Sequence, residues 1–473
     1  MNMDENVIFT NPQTVEPITP NSPSSLAQPP IPQNPKPTPA KGSTKKFLKI
    51  IIGILALVII GFIVFNIVLA SLSKKTKNEK VTLLYWGISE DAKAMQPIIS
   101  DFERQHPNIT VNFVKQDLKQ YRERLTARVQ NGTGPDIFRF YNTWLPMLSN
   151  ILAPLPKDTI TKTDFENWFY KVAQKDLVKN GAIYSIPLEI DTLSLYINTD
   201  LFKAARLSAP KNWIDFSNIA RELTLKDESG KIATSGAAVG TFDNITHAGD
   251  IVSLFLVQNG ADLNDISSTS KVASEALSFY TSFATNDKVW DDTLDSSVLS
   301  FAKGNLAMFF GYSWDFFTIK ATNPDLSFEI YPVPHLPNQN MTIASYQVEG
   351  VSIKSKYQKE AMLLIKYLSQ KETQQKLFAE QSKIRAFGNP FARRDLVELL
   401  KDNKAVYPFV SQAEDAVSSF FASDTYDNGL NSQMNTYLGD AVNAILNGTS
   451  PQTAVETLSK GVSETLQQYS VER

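Results

Sequence analysis

The sequence predicts an α/β fold in two or more lobes, preceded by one membrane-spanning helix. Three observations carry this expectation. Strand and helix periodicities alternate from residue 81 onward, the pattern of βαβ units around a mostly parallel sheet. The chain has 473 residues, more than a single hydrophobic core usually serves. Between Lys49 and Lys74 no residue is charged, and about 20 such residues in a helix cross a hydrocarbon layer of about 30 Å.

Residues 1–45 are dense in Pro, Ser, Thr, Gln and Asn, as in "PITPNSPSSLAQPPIPQNPKPTPAKGS". Proline at that density denies both helix and ladder hydrogen bonds, so a disordered Pro-rich tail is expected; it is a solvated tail or a ligand for a partner domain. Residues 46–73 follow as the anchor, with the membrane contact itself at 50–73, and residues 74–80 as a juxtamembrane linker. A cleaved secretory signal is the competing reading, because Val68, Leu69 and Ala70 resemble a small-residue cleavage site. The apolar stretch is longer than a usual signal core and a long tail precedes it, which favours an uncleaved single span. Orientation does not follow from charge: Lys41, Lys45, Lys46 and Lys49 flank one side and Lys74, Lys75, Lys77 and Lys80 the other.

The body begins with "VTLLYWGI", a strand placing Val81, Leu83 and Tyr85 on one face. "EDAKAMQPIISDFERQHP" is helical, with Ala94, Ile98, Ile99 and Phe102 in one stripe and Pro107 beyond its end. "NITVNFVKQ" is a second strand, "QYRERLTARVQNGTG" a helix closed by Gly132 and Gly134, and "PDIFRFY" a third strand. "WLPMLSNILAPL" is helical or turn-rich. Strand segments around Pro187 in "NGAIYSIPLEIDTLSLYIN" lead into helices at "TDLFKAARL" and "NWIDFSNIARELTL". Beyond Gly230 the pattern is helix-rich, with strands at "LAMFFGYSW", broken at Gly311, at "LSFEIYPVPHLP" and at "VEGVSIKS". The chain closes on helices in "QKEAMLLIKYLSQKETQQKLFAEQ", "DAVNAILNG" and "TAVETLSKGVSETLQQY".

Composition excludes several functions. A net charge of −3, without a recurring basic run in the body, gives no field for nucleic acid. The absence of cysteine removes disulfides, thiolate metal sites and a lipidated cysteine anchor. His106, His247 and His335 are far apart, so no histidine metal site or triad is expected, and no cofactor. No phosphate-binding G-x-x-x-x-G-K-[ST] loop is present.

Five stretches in order resemble the extracellular solute-binding family 1, the sugar-capturing proteins of ABC importers similar to maltodextrin binders. They are the strand ending in Trp86 and Gly87 with "FERQHPNITV"; "NGTGPDIF"; "YSIPLEIDTLSLYINTDLF" with "PKNWIDF"; "FAKGNLAMFFGYSWDF" with "YPVPHLP"; and "SYQVEGVSIKSKYQKEAMLLIKYLS". The resemblance runs from about Val81 to Tyr469 and implies a two-lobe periplasmic-binding-protein-like fold with a hinge. A mono- or oligosaccharide would be held between the lobes and delivered to ABC permease subunits. Lobe one would span about 81–190 with a later segment near 320–350, and lobe two 191–319 and 351–473. The chain crossings are expected near Ile186–Pro187 and near Gly311. The resemblance also supplies the orientation: a single-pass protein of the cell membrane with its body on the extracytoplasmic side. The alternatives are a carbohydrate-acting enzyme using Glu189 and Asp191, two apart on a strand, or a binding fold reused as a sensor or adhesion module.

Ligands of open α/β sheets bind where loops converge at strand carboxyl ends. The expected ligand residues are Trp86 and Glu90 after the first strand; Phe140, Tyr141, Asn142, Thr143 and Trp144 after the third; Asp191; Asp243; Tyr312, Ser313 and Trp314; and Tyr346 and Gln347. Aromatic faces suit the C–H faces of a pyranose, and carboxylates and amides suit its hydroxyls. Ser313 stands where the resemblance implies a stacking Trp. Phe138 and Asp136 are read as scaffold, the first in the core and the second fastening the turn after Gly134. Glu349 is read as a ligand contact or a salt partner between lobes.

Overall fold

The computed structural model describes residues 53–66, 80–423 and 425–471. Residues 53–66 form a helix with exposed side chains, in a unit separate from the body that begins at Asn78. Among the described residues no helix is long and apolar enough to cross a membrane. The expected tail, the rest of the expected anchor and the linker up to residue 79 lie outside the described residues.

The first strands build one sheet. They are β1 (Val81–Gly87), β2 (Ile109–Lys115), β3 (Ile137–Tyr141), β4 (Leu152–Ala153) and β5 (Ser185–Pro187). β1 lies between β2 and β3, parallel to both. The helix Ala92–Gln105 covers this sheet with the expected stripe, burying Ala94, Met95, Ile98, Ile99 and Phe102, and the Asp91 side chain caps it by accepting from the Lys93 amide. Asp136 accepts from the Leu84 amide at 2.8 Å and from the Ser355 hydroxyl at 2.5 Å. It is scaffold, as expected, but it ties the turn to β1 and to Ser355 rather than bonding within the turn.

The second sheet comprises β6 (Ser194–Asn198), β7 (Leu225–Lys226), β8 (Ile232–Ala237), β9 (Leu306–Gly311) and β10 (Phe328–Tyr331), in the order β10-β6-β9-β8-β7. The chain then returns to the first sheet as β11 (Gln347–Ser352), which pairs antiparallel with β3, β4 and β5. A separate core belongs to each sheet, so the body has two lobes.

The sheets are mixed rather than mostly parallel. β11 and β6 enter from the lobe junction instead of through a covering helix, and therefore run against their neighbours. The lobe limits also differ from expectation. Ser185–Pro187 stays within the first sheet, and Gly311 ends a strand inside the second. Phe328–Tyr331 belongs to lobe two through its pairing with β6, while residues 361–410 supply buried side chains chiefly to the core of lobe one. The last helices, Leu430–Leu446 and Pro451–Gln468, return to the core of lobe two, joined by Phe409 and Phe421. Helical periodicity is the same whichever core receives the stripe, so it could not allot these segments.

Three chain segments join the lobes side by side. The amide of Leu193 donates to Ile343, that of Ser345 to Asp191 and that of Ala344 to Val417, while Thr342–Ile343 pairs parallel with Ala416–Val417. The Thr192 hydroxyl adds a bond to the Phe409 carbonyl at 2.6 Å.

Candidate ligand site between the lobes

The carboxyl ends of β1 and β3 meet the amino end of β11, where Tyr141 and Gln347 stand opposite one another in the ladder. In lobe two the carboxyl end of β9 meets the start of β6, with Gly311 opposite Ser194. A cavity of about 450 Å³ lies between these two edges. Its walls include Ser89, Glu90, Tyr141, Glu189, Arg385 and Asn389 from lobe one, His247, Ser313, Trp314 and Asp315 from lobe two, and Asp191, Ser345 and Tyr346 from the crossings.

The floor of the lobe-one wall is one arginine among three acids. Arg139 is fully buried; its Nε donates to Glu349 Oε1 at 2.5 Å, and its Nη1 lies 3.1 Å from Glu90 and 3.9 Å from Glu189. Tyr85 donates to the same Glu349 oxygen at 2.9 Å. Asn389 donates to both Glu90 and Glu189, and Gln381 to Glu90. One guanidinium cannot neutralise three carboxylates. Burial, opposed by Arg139, pushes the Glu189 carboxyl up to about 7 and that of Glu349 upward too. Glu349 is thus not a bridge between lobes: it faces Arg139 across the β3–β11 ladder.

The lobe-two wall is built by the turn after β9. Gly311 is required there, since a Cβ would stand 2.7 Å from Asp315 Oδ2. That oxygen accepts from the Tyr312 amide and pairs with His247 Nε2, each at 2.8 Å. The Ser313 amide donates to Asp191 Oδ2 at 3.0 Å, while Asp191 Oδ1 is buried without a hydrogen-bond partner among the described residues. Burial holds the Asp191 carboxyl well above the usual range, offset in part by Ser313. A buried acceptor left open on a cavity wall is what a ligand hydroxyl would satisfy. Trp314 is 39% exposed and stacks on buried Tyr312 with ring centroids 4.5 Å apart.

Seven of the expected residues meet here: Glu90, Tyr141, Asp191, Ser313, Trp314, Tyr346 and Gln347. The other seven do not line this cavity. Trp86, Phe140 and Trp144 are core side chains of lobe one, turned inward by β1, by β3 and by the short helix after β3 respectively. Trp144 packs against Tyr121 and Tyr141. Asn142 and Thr143 line a separate cavity of about 620 Å³ that shares no residue with the cleft. Tyr312 is buried beneath Trp314 and donates to Asp250 at 3.0 Å. Asp243 lines a neighbouring cavity in lobe two. The aromatic ring expected at position 313 is presented by its neighbour, Trp314.

Sequence reading missed Glu189 as a wall residue, together with Arg385, Asn389, Ser423 and Tyr426. Arg385 and Asn389 lie in "KIRAFGNPF", where the Gly-Asn-Pro turn after a helix was the available signal. Among the described residues no cluster of three or more His, Asp or Glu could hold a metal ion.

Residues 86–375 match the family described as bacterial extracellular solute-binding protein. The multiple sugar-binding protein of Streptococcus mutans is 24% identical over 358 residues, covering 69% of this chain and 80% of that protein. The maltodextrin-binding protein of Bacillus subtilis is also 24% identical, over 66% of this chain and 75% of its own length. Among solved structures, a cyclo/maltodextrin-binding protein complexed with maltotetraose superposes with a TM-score of 0.68 at 19% identity, covering 84% of this chain and 99% of that one. An ABC substrate-binding protein from Listeria monocytogenes in complex with cycloalternan gives 0.64 at 20% identity, covering 82% and 100%. These are binding proteins rather than enzymes, and with the matched region spanning more than half its length, this chain belongs to the bacterial extracellular solute-binding proteins.

Proposed function

We propose that this protein captures a carbohydrate between its two lobes and hands it to the permease subunits of an ABC importer, with residues 50–73 anchoring the body on the extracytoplasmic side of the membrane. The observation that carries the reading is the pairing, in one inter-lobe cavity, of an exposed aromatic face with carboxyl groups: Trp314 with Asp191, Glu189 and Glu90. A pyranose places C–H groups against the ring and hydroxyls on the acids. Glu90, Tyr141, Asp191, Trp314 and Gln347 are the proposed contacts. A ligand touching both lobes stabilises the closed arrangement through contacts that the open one lacks. The names of the relatives, a multiple sugar-binding protein and a maltodextrin-binding protein, support the same ligand class. The uncharged run between Lys49 and Lys74 supports the anchor.

The test is a thermal-shift and calorimetric screen of the body from Asn78 against mono- and oligosaccharides, amino acids and peptides. Stabilisation by one sugar class, growing with concentration as mass action requires, is the expected result. Binding confined to a non-sugar class would end the carbohydrate assignment. Steady cleavage of a glycosidic bond during incubation would end the binding-only reading. Membrane fractionation of the full chain before and after carbonate washing tests the anchor, and recovery of the body in the soluble fraction would refute it.

A further inference from the structure

The cavity of about 620 Å³ that Asn142 and Thr143 line is larger than the cleft and also takes its walls from both lobes. Neighbouring residues face the two spaces: Tyr141 lines the cleft and Asn142 the larger cavity. Tyr346 lines the cleft too, yet its hydroxyl donates at 2.6 Å to Oδ2 of Asp176, a wall residue of the larger cavity. Asn142 donates to the same oxygen at 2.8 Å, and Ser418 donates to Oδ1. Asp176 thus ties three separate segments into one wall, so the site is built before any ligand arrives.

The rest of the wall is of two kinds. Val178 from lobe one, Val257 and Leu263 from lobe two, and Met341, Val417 and Phe420 from the crossings are apolar. Lys175 and Lys179 are the cations among the lining residues, and neither is ion-paired to another described residue. The two lining acids are engaged. Asp176 holds its three donors, and burial, offset in part by those bonds, raises its carboxyl. Asp262 accepts from the amides of Asn264 and Asp265 at 2.9 and 3.3 Å. Hydroxyl-rich ligands would face apolar groups that cannot bond them, and a cation would meet the two ammonium groups. A carboxylate on an apolar body satisfies both kinds of wall, and the volume lies within the usual range of about 300–1,000 Å³ for ligand pockets.

We propose that this cavity is a second ligand site, separate from the cleft, for a small organic carboxylate with an apolar body. The carboxylate lies against Lys175 and Lys179, and the body rests on Val257, Leu263, Met341 and Phe420.

Calorimetry on the full-length protein tests it with three probes: phenylacetate, its uncharged counterpart phenylacetamide, and acetate, which lacks the ring. Phenylacetate should bind saturably at one site, about three- to tenfold tighter than the amide, the effect of two partly exposed ion pairs. It should bind at least about tenfold tighter than acetate, which leaves the apolar wall uncovered. The double variant Lys175→Gln, Lys179→Gln should bring phenylacetate down to the level of the amide. The cleft holds a cation of its own, Arg385, so Arg385→Gln controls for location and should leave phenylacetate affinity within about twofold of wild type. Circular dichroism checks each fold, and Lys175→Gln alone, at an exposed helical position, replaces a double variant that misfolds. Absence of saturable binding, equal affinity for acid and amide, or an affinity unchanged by loss of the lysines each overturns the proposal. Loss of binding in Arg385→Gln with none in the lysine variant would place the anion in the cleft and overturn it as well.

Discussion

Trp314 lies 4.5 Å from Tyr312, ring centroid to ring centroid, with 20° between the two planes. Tyr312 is buried and tied through its hydroxyl to Asp250 at 3.0 Å. A fixed ring therefore holds an exposed one flat at the cavity wall, and the exposed ring loses little freedom when a ligand arrives. Such pre-organisation raises affinity by lowering the ordering cost of binding.

Replacing this platform should be costly to binding and mild for the fold. Trp314→Ala is expected to weaken carbohydrate affinity by roughly 1–2 kcal/mol, about five- to thirtyfold. Because the ring is partly exposed, the unfolding midpoint of the unliganded protein should move by only a few degrees. Calorimetry and thermal melts measure the two effects. An affinity within twofold of wild type would remove Trp314 from the site.

Arg139 is a buried cation set among Glu90, Glu189 and Glu349. Removing it leaves three acids facing one another in a buried place. Arg139→Met is expected to destabilise the protein by about 3–5 kcal/mol, read from urea unfolding at pH 7.5. Arg139→Lys should recover only part of the loss, since an ammonium cannot reproduce the fork that meets several carboxylates at once. A stability indistinguishable from wild type in the Met variant would show that the acids are already neutral.

The same cluster makes stability depend on pH. The Glu189 carboxyl titrates near 7 in the folded protein against an ordinary value of 4.5. Between those values the folded state holds a proton that the unfolded chain has released, so the contribution of Glu189 to stability falls as pH rises through that window. Asp250, pushed up to about 6 by burial, acts in the same direction. Unfolding free energy measured from pH 4.5 to 7.5 should carry this decline, up to about 1.4 kcal/mol per pH unit for one proton. Glu189→Gln, which cannot titrate, should flatten it. An equal slope in that variant would place the proton elsewhere.

Much of the architecture was legible residue by residue. Short apolar strand patterns located β1, β2, β3 and β9, and the stripe Ala94, Ile98, Ile99 and Phe102 located the first helix of the body, because each is a local property of the chain. Five motifs in order identified the family for the same reason. The turn carrying Ser313 and Trp314 and the position of Asp191 were also visible, as loop residues at strand ends.

Local pattern could not say where each ring would point. Trp144 and Trp314 both follow an apolar strand within an aromatic run, yet Trp144 is fully buried and Trp314 stands in the cavity. Contacts far away in the chain make the difference. Trp144 packs against Tyr121, whereas Trp314 lies over Tyr312 on the cavity wall. The wall residue Asn389 reaches Glu90 and Glu189 across 200 or more positions of sequence. Segments on either side of the hinge carry the same helical stripe, and only packing assigns each to its lobe. Periodicity thus locates the main elements and the resemblance of five motifs their family, while the choice of cavity walls belongs to long-range packing, because burial is decided by neighbours that are distant along the chain.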